Sequence, residues 1–195
     1  MILPIRAYGD PVLRAETDPV EQDSDELQRL IDDMIETMRG AEGAGLAAPQ
    51  IGRSLRLFVA DLTSALQALP PDERPEVPPQ PMVCINPELV HESAEEAEFE
   101  EGCLSIPNLP ERVWRPERVR LRYLDRTLQP QEIEGSGPLA SVLQHERDHL
   151  DGILHIDYIS PLRKRLIKRR LRQITRGDFG AEYPMQIGER PQGAA

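Results

Sequence analysis

The segment His145-Glu146-Arg147-Asp148-His149 has the residue types and the spacing of a hydrolytic metal site. On a helix, residues four apart lie one above the other, so the two histidines can present their imidazoles to one metal ion. Glu146 would then lie beside the open coordination position, where its carboxylate can accept a proton from water. The alternative is a solvated helix end with two surface histidines. A third ligand is needed to separate these interpretations.

Two residues are candidates for the third ligand, and they predict different enzymes. The run that ends at His155 matches the metzincin pattern H-E-x-x-H-x-x-G-x-x-H, in which a third histidine completes a zinc site of an endopeptidase. The rival is Cys103, which stands in a turn within Glu101-Gly102-Cys103-Leu104-Ser105, between two short extended segments. A lone free cysteine is more often a small buried hydrophobe than a ligand.

Three motifs in a fixed order resemble those of peptide deformylases. They are Gly43-Ala44-Gly45-Leu46-Ala47-Ala48-Pro49-Gln50, the cysteine motif at 101–105 and the histidine motif at 145–149. The similarity covers roughly residues 3–171, whereas metzincins share only the last motif. It is imperfect at position 155, which is usually aromatic in that family, and at Pro110, where some relatives have arginine.

The resemblance implies an enzyme that hydrolyses the formyl group from the N-terminal formyl-methionine of new proteins and releases formate. Cys103, His145 and His149 would hold the metal, natively Fe(II), with zinc, nickel or cobalt as substitutes. Ligand chemistry alone does not choose among these ions. A metal in this ligand set lowers the pKa of bound water, and the resulting hydroxide would attack the formyl carbon.

Three residues are expected to act on the reacting atoms. Glu146 is the predicted general base and then the general acid towards the leaving amine. The resemblance implies that the Gln50 side-chain amide and the Leu104 backbone N–H donate to the oxyanion.

The substrate's methionine side chain needs an apolar pocket near the metal. Ser141 and Val142 precede His145 by one helical turn, and the resemblance adds neighbouring backbone and wall residues. Core packing is the alternative for Val142 and for Phe99. The predicted substrate-binding residues are Ala44, Gly45, Phe99, Gly102, Ser141 and Val142. Gly45 and its neighbours are expected to pair with the peptide backbone as a strand does.

The helices and strands that position these residues can be predicted from the spacing of apolar residues and from the places of proline, glycine and helix-capping residues. Apolar residues three and four apart predict a helix that is capped by Ser24 and ends near Gly40. The helix of the histidine motif is predicted to begin at Pro138 and to end before Gly152. Strands are predicted at 55–62, 82–85 and 119–124, with a proline-rich loop at 69–81. The predicted fold is a single α+β domain at 1–176, with short mixed or antiparallel sheets around the metal-binding helix. A poorly ordered tail is predicted at 177–195.

Charge and composition limit which partners and which cellular compartment the sequence predicts. The chain has 195 residues and a net charge of −11, which argues against a general nucleic-acid binder. Residues 161–176 nevertheless hold eight Lys or Arg and no acid. A helix at about 161–175 is expected to pack through Leu162, Leu166, Ile167, Leu171 and Ile174 and to face Arg163, Lys164, Lys168, Arg169, Arg172 and Arg176 outward. That face is either simply solvated or contacts ribosomal RNA.

The remaining features favour a cytoplasmic enzyme. No segment resembles a membrane span or a secretory signal, and the two cysteines suit free thiols or ligands. A binding module without catalysis would leave the aligned cysteine, histidine and glutamate residues unexplained.

Overall fold

The structure is a computed structural model that describes residues 1–67, 70–74 and 77–188. The chain forms one α+β unit, as the sequence predicts, with helices packed against small antiparallel sheets. No helix in these described ranges is long and apolar enough to cross a membrane.

The main sheet has five antiparallel strands in the order β2-β3-β4-β7-β8. These are β2 (Gly45–Ala47), β3 (Leu57–Ala60), β4 (Met82–Glu92), β7 (Arg118–Leu124) and β8 (Pro130–Ser136). Along β7, Val119, Leu121 and Tyr123 are buried while the arginines between them are exposed. This alternation of apolar and charged residues is the period of a strand with one face on the core.

Two smaller sheets lie beside the main one. In the first, β5 (Glu96–Cys103) and β6 (Ile106–Pro116) form an antiparallel hairpin whose tight turn carries Leu104 and Ser105. In the second, β1 (Ile5–Arg6) pairs in parallel with β9 (Met185–Gln186), so the two terminal segments meet. The sequence predicted only two short extended segments here. The full length of the hairpin was missed because its strands contain many charged residues and few apolar ones.

The helices are α1 (Asp25–Gly40), α2 (Thr63–Gln67), α3 (Pro138–Leu150) and α4 (Pro161–Ile174). Ser24 caps α1 by accepting a hydrogen bond from the Leu27 N–H, as predicted. The bounds of α3 are those that Pro138 and the left-handed Gly152 indicate. Leu139, Ala140, Leu143 and Leu150 bury α3 against the main sheet. The helix that carries the histidine motif therefore lies in the core, where its polar side chains are held by protein rather than by water.

Helix α4 differs from the prediction in which of its apolar residues are buried. Ile167 and Ile174 are buried, but Leu162 and Leu166 are 68% and 65% exposed. The predicted five-residue packing stripe is wrong at these two positions, because the N-terminal half of α4 touches the body mainly through polar contacts. One of them is the ion pair between Arg163, predicted to face outward, and the buried Glu111.

The segment after α4 also differs from the predicted poorly ordered tail. Residues 177–188 lie against the body and include β9, while residues 189–195 lie outside the described residues. Phe179 and Met185 pack against the apolar cluster that contains Cys103 and Ile167.

Candidate metal centre

Three buried side chains bring a sulfur and two imidazoles together. One ligand atom each from Cys103, His145 and His149 lies within 4.8 Å of the other two. Cys103 ends β5 at the hairpin turn, and the two histidines lie one helical turn apart on α3. The Cys103 Sγ is 3.3 Å from His149 Nε2. The predicted ligand residues thus converge from two elements that are far apart in sequence.

The donor set fits a divalent transition metal. Burial opposes ionisation of the Cys103 thiol, but the charge of His149 and hydrogen bonds from the histidines outweigh it and hold its pKa well below the ordinary value. A thiolate with two imidazoles is a ligand set used for zinc, iron, nickel or cobalt. The Glu146 Oε2 atom is buried and has no hydrogen-bond partner in the described part of the chain. A buried polar atom of this kind, beside three convergent ligands, suits a site that takes a metal ion and a reactant.

Glu146 is fixed next to the three ligands by its place on α3 and by its neighbour on β2. A Cβ atom at Gly45 would collide with the Glu146 carboxylate, so only glycine lets β2 approach α3 this closely. Burial raises the pKa of Glu146 to about 7, although the nearby histidine charges oppose the rise. A carboxyl group with that pKa can both accept and release a proton near neutral pH.

Gln50 points its amide nitrogen at the sulfur. Its Oε1 accepts the Ala47 N–H at 2.8 Å, which leaves the amide NH₂ directed to the Cys103 Sγ at 3.6 Å and to the Ser105 Oγ at 3.4 Å. Gln50 is 1% exposed. The orientation makes the side chain a fixed hydrogen-bond donor towards the centre.

A buried ion pair lies directly behind His145. Glu101 accepts from His145 Nδ1 at 2.9 Å and from the Ser141 hydroxyl at 2.7 Å. Arg115 donates two further hydrogen bonds to the same carboxylate, from Nε at 2.5 Å and from the Nη2 group at 2.9 Å. Burial opposes the charge on Glu101, yet the hydrogen bonds from His145 and Arg115 lower its pKa to about 2. This carboxylate therefore fixes the ring orientation of one ligand, as an acidic partner commonly does for metal-binding histidines.

The ion pair continues to the far side of α3. Arg115 also donates to Asp148 at 2.7 Å, and the Tyr158 hydroxyl donates to the same carboxylate at 2.8 Å. The Arg115 guanidinium lies 4.6 Å from the centre of the Tyr158 ring. The strand β6 is thereby fastened to both β5 and α3 at the level of the ligands.

A groove opens over the centre and is lined by most of the predicted site residues. Ten of the twelve line it: Ala44, Gly45, Gln50, Gly102, Cys103, Leu104, Ser141, Val142, His145 and Glu146. His149, the remaining predicted ligand, is not among the lining residues and is 1% exposed. Phe99 does not line this groove; it is half-buried on β5, opposite Val113.

His155, the rival ligand, is not one of the three residues whose ligand atoms lie within 4.8 Å of one another, although a hydrogen bond from its side chain helps to lower the pKa of the Cys103 thiol. Its Nε2 is 3.4 Å from the Leu109 carbonyl oxygen, and its ring centre is 5.7 Å from that of His145. It follows α3 in a short 3-10 turn at His155–Asp157 and is 1% exposed. This geometry favours the cysteine-containing ligand set over a three-histidine site.

Two contributors to the site were not predicted from the sequence. Arg115 was missed because its role depends on the β5–β6 register, in which Ala97 lies opposite it and Glu101 is reached only diagonally. Residues 180–183 line the groove although they were expected in a loose tail. The acidic residue of the cysteine motif, Glu101, was a usable signal, since a buried carboxylate needs a cationic partner.

The chain resembles known proteins over nearly its whole length. A family model described as polypeptide deformylase matches residues 2–165. A peptide deformylase of Salinibacter ruber is 58% identical over 185 residues, which cover 95% of this chain and 94% of that protein. The crystal structure of a peptide deformylase from Legionella pneumophila superimposes with a TM-score of 0.78 at 44% identity, covering 90% of this chain and 96% of the other. A peptide deformylase from Ehrlichia chaffeensis in complex with actinonin gives a TM-score of 0.78 at 33% identity, over 90% of this chain and 96% of that one.

Proposed function

The chain belongs to the polypeptide deformylase family, and on that premise we propose that Cys103, His145 and His149 hold the metal with which it removes N-terminal formyl groups. The enzyme is a metal-dependent hydrolase that acts on the formyl-methionine of nascent peptides. The observation that supports the ligand assignment is the convergence of the three ligand atoms within 4.8 Å. Fe(II) is the proposed native ion, because the donor set accepts it and the resemblance implies it.

The metal and the protein supply different parts of the chemistry. When bound in this ligand set, the ion acts as a Lewis acid that activates water and polarises the formyl oxygen. The chain's own residues bind the formylated methionine, move one proton and stabilise the charge that develops on oxygen. Hydrolysis breaks the formyl C–N bond; the carbonyl carbon keeps the water oxygen as formate, and the nitrogen becomes a free amine.

Glu146 is the proposed proton carrier. Its buried Oε2 has no partner among the described residues, so it is free to accept a proton from the attacking water. The same carboxyl group then gives that proton to the leaving nitrogen as the C–N bond breaks. The packing of Gly45 against the carboxylate limits its motion between the two steps.

Two donors are proposed for the oxyanion. The Gln50 amide is already aimed at the centre, because its carbonyl oxygen is bound by the Ala47 N–H. The Leu104 N–H lies one residue after the ligand Cys103, on the hairpin turn. Fixed donors of this kind stabilise charge without having to reorient during the reaction.

The methionine side chain is proposed to enter the groove beside α3. Val142 and Ser141 line it on the helix side, and Ala44, Gly45 and Gly102 line it on the side of the strands. The backbone of residues 44–45 is proposed to pair with the substrate as an added strand, which reads main chain rather than side chains. The position of Phe99 outside the lining does not support the wall role that the resemblance implied.

The cytoplasm is the proposed compartment, and the exposed basic face of α4 is the proposed ribosome contact. Arg165, Lys168, Arg169, Arg172 and Arg176 surround a shallow depression on this helix. The rest of the chain is acidic, so a nucleic-acid surface would attract this face and repel the remainder. Co-sedimentation with ribosomes that weakens as salt rises is the supporting result; no co-sedimentation at low salt would contradict it.

The ligand assignment is tested with the two cysteines. Cys103→Ala is expected to lose most bound metal and formate-releasing activity, because a thiolate ligand is removed. Cys84→Ala is the matched control, since Cys84 is also fully buried but lies in the core beside Tyr123. Equal metal content of the two variants, measured by metal analysis on anaerobically purified protein, would contradict the assignment.

A further inference from the structure

The chain after α4 returns to the groove and forms part of its wall. It turns at Gly177, whose φ of +92° is one that glycine adopts readily. Residues 180–183 then line the same groove as Cys103 and Glu146. These residues lie beyond the part of the sequence, 3–171, that carries the resemblance. They also lie beyond residues 2–165, which the family model matches.

The beginning of this segment is fastened to α4 and β6. The Arg170 guanidinium donates to the Asp178 carbonyl at 3.0 Å and to the Pro107 carbonyl at 3.3 Å. The Asn108 side-chain amide donates to the Gly180 carbonyl at 2.7 Å. Backbone carbonyls of the segment are thus satisfied by side chains that reach it from two different elements, which fixes its path along the groove.

The end of the segment is fastened to the N-terminal strand. The Ile5 N–H donates to the Pro184 carbonyl at 2.9 Å, and the Ala7 N–H donates to the Gln186 carbonyl at 2.8 Å. Tyr183 lies between the two fastened ends and lines the groove. Its position is set from both sides rather than by its own contacts alone.

Tyr183 holds the turn that follows the ligand Cys103. Its hydroxyl donates to the Leu104 carbonyl oxygen at 2.8 Å. The next carbonyl, that of Ser105, accepts the Tyr8 N–H at 2.9 Å. The two carbonyl groups of the hairpin turn are therefore held by the two terminal segments of the chain.

Anchoring the Leu104 carbonyl has a consequence for its N–H. The two groups of one residue are connected through only two soft dihedral angles, so fixing one restricts the orientation of the other. The Leu104 side chain packs closely against Gly43, where an added Cβ would lie only 2.8 Å from its Cδ1 atom. The orientation of the Leu104 N–H is thus restricted by a contact from outside the hairpin.

We propose that the C-terminal segment 178–186 completes the active site and that Tyr183 is a positioning residue, which aims the Leu104 N–H at the oxyanion through the Leu104 carbonyl. The inference rests on the proposed role of Leu104 as an oxyanion donor. Tyr183 touches neither the reacting atoms nor the proposed metal ligands through this bond. Its effect is carried entirely by the geometry of the turn.

The test is Tyr183→Phe in the full chain, which removes the hydroxyl and keeps the ring. The control is Tyr123→Phe, a buried tyrosine on β7 in the core under the main sheet. Both variants are loaded with the same metal, and formate release from a formyl-Met-Ala-Ser peptide is measured. A donor acts mainly on the transition state, so Tyr183→Phe is expected to lower kcat by about threefold to tenfold with KM nearly unchanged, a range that one neutral hydrogen bond can account for.

A second measurement reports how firmly the hairpin turn at Leu104 and Ser105 is held. Amide hydrogen exchange at residues 103–106 should become faster in Tyr183→Phe and remain at the wild-type rate in Tyr123→Phe. Wild-type kcat together with wild-type exchange in Tyr183→Phe would overturn the inference, and so would a rise in KM alone. Failure of the proposed function is distinguishable, because the wild-type chain would then release no formate at all.

Discussion

Arg115 is expected to be the residue whose loss most weakens the support of the metal centre without removing a ligand. The substitution is Arg115→Met, which keeps the length of the side chain and removes its charge. Arg115, Glu101 and Asp148 have side chains only 3%, 4% and 6% exposed. In the variant, the buried carboxylates of Glu101 and Asp148 lose the guanidinium that pairs with both of them.

The expected magnitude follows from burial. Removing one partner of a buried ion pair costs about 3–5 kcal/mol, because the remaining charge stays desolvated. Burial opposes the charge on Glu101, but hydrogen bonds from His145 and Arg115 lower its pKa from 4.5 to about 2. Because the folded-state pKa is depressed, this stabilisation is present above pH 4.5 and is lost as the pH falls towards 2.

Arg112→Met is the matched control on the same strand. Arg112 pairs with Glu98, but their side chains are 70% and 39% exposed, so the loss should stay below about 1 kcal/mol. Denaturant unfolding of both variants, loaded with the same metal, gives the free energy of unfolding. Metal competition should show affinity weakened about 10-fold to 100-fold in Arg115→Met only, because Glu101 then orients His145 less firmly. Equal losses of stability and affinity in the two variants would refute the reasoning.

Three further predictions concern the centre itself. His155→Phe should keep the metal, since His155 is not one of the three residues whose ligand atoms converge; metal loss equal to that of Cys103→Ala would restore the three-histidine hypothesis. Glu146→Ala should retain the metal and lose turnover by roughly 10²–10⁴-fold, the usual value of general acid–base help, and near-normal turnover would remove Glu146 from the mechanism. Iron-loaded enzyme should lose activity in aerated buffer faster than nickel-loaded enzyme, because both Fe(II) and its thiolate ligand are open to oxidation. Equal half-lives of the two preparations would favour zinc as the working metal.

The elements that carry local signals could be predicted from the sequence. Ser24, Pro138 and Gly152 mark helix boundaries through capping and backbone preferences that act within a few residues, and the structure places those boundaries there. The histidine motif and the cysteine motif predicted three residues that the structure brings together, because each motif has a residue order that chemistry constrains. Among the predicted groove residues, Ser141 and Val142 followed from helical spacing and others from the resemblance; Phe99, which the resemblance also implied, does not line the groove.

What could not be predicted depends on contacts between distant segments. Arg115 is one of several arginines in a charged strand, and only the hairpin register and the approach of α3 select it as the buried one. Leu162 and Leu166 follow a helical period, but the body does not extend far enough to cover them. The tail contains glycine and proline and lacks periodicity, so its fastening by Arg170 and Asn108 has no local signature.

Formate release is the measurement that tests the central claim most directly. Metal-loaded protein is incubated with formyl-Met-Ala-Ser, with the acetylated version of the same peptide, and with an unfolded protein. The account predicts release of formate from the formyl peptide and little release of acetate from the acetyl peptide. It also predicts no cleavage of internal peptide bonds in the unfolded protein. Internal cleavage without formate release would contradict it, because the centre would then be that of an endopeptidase.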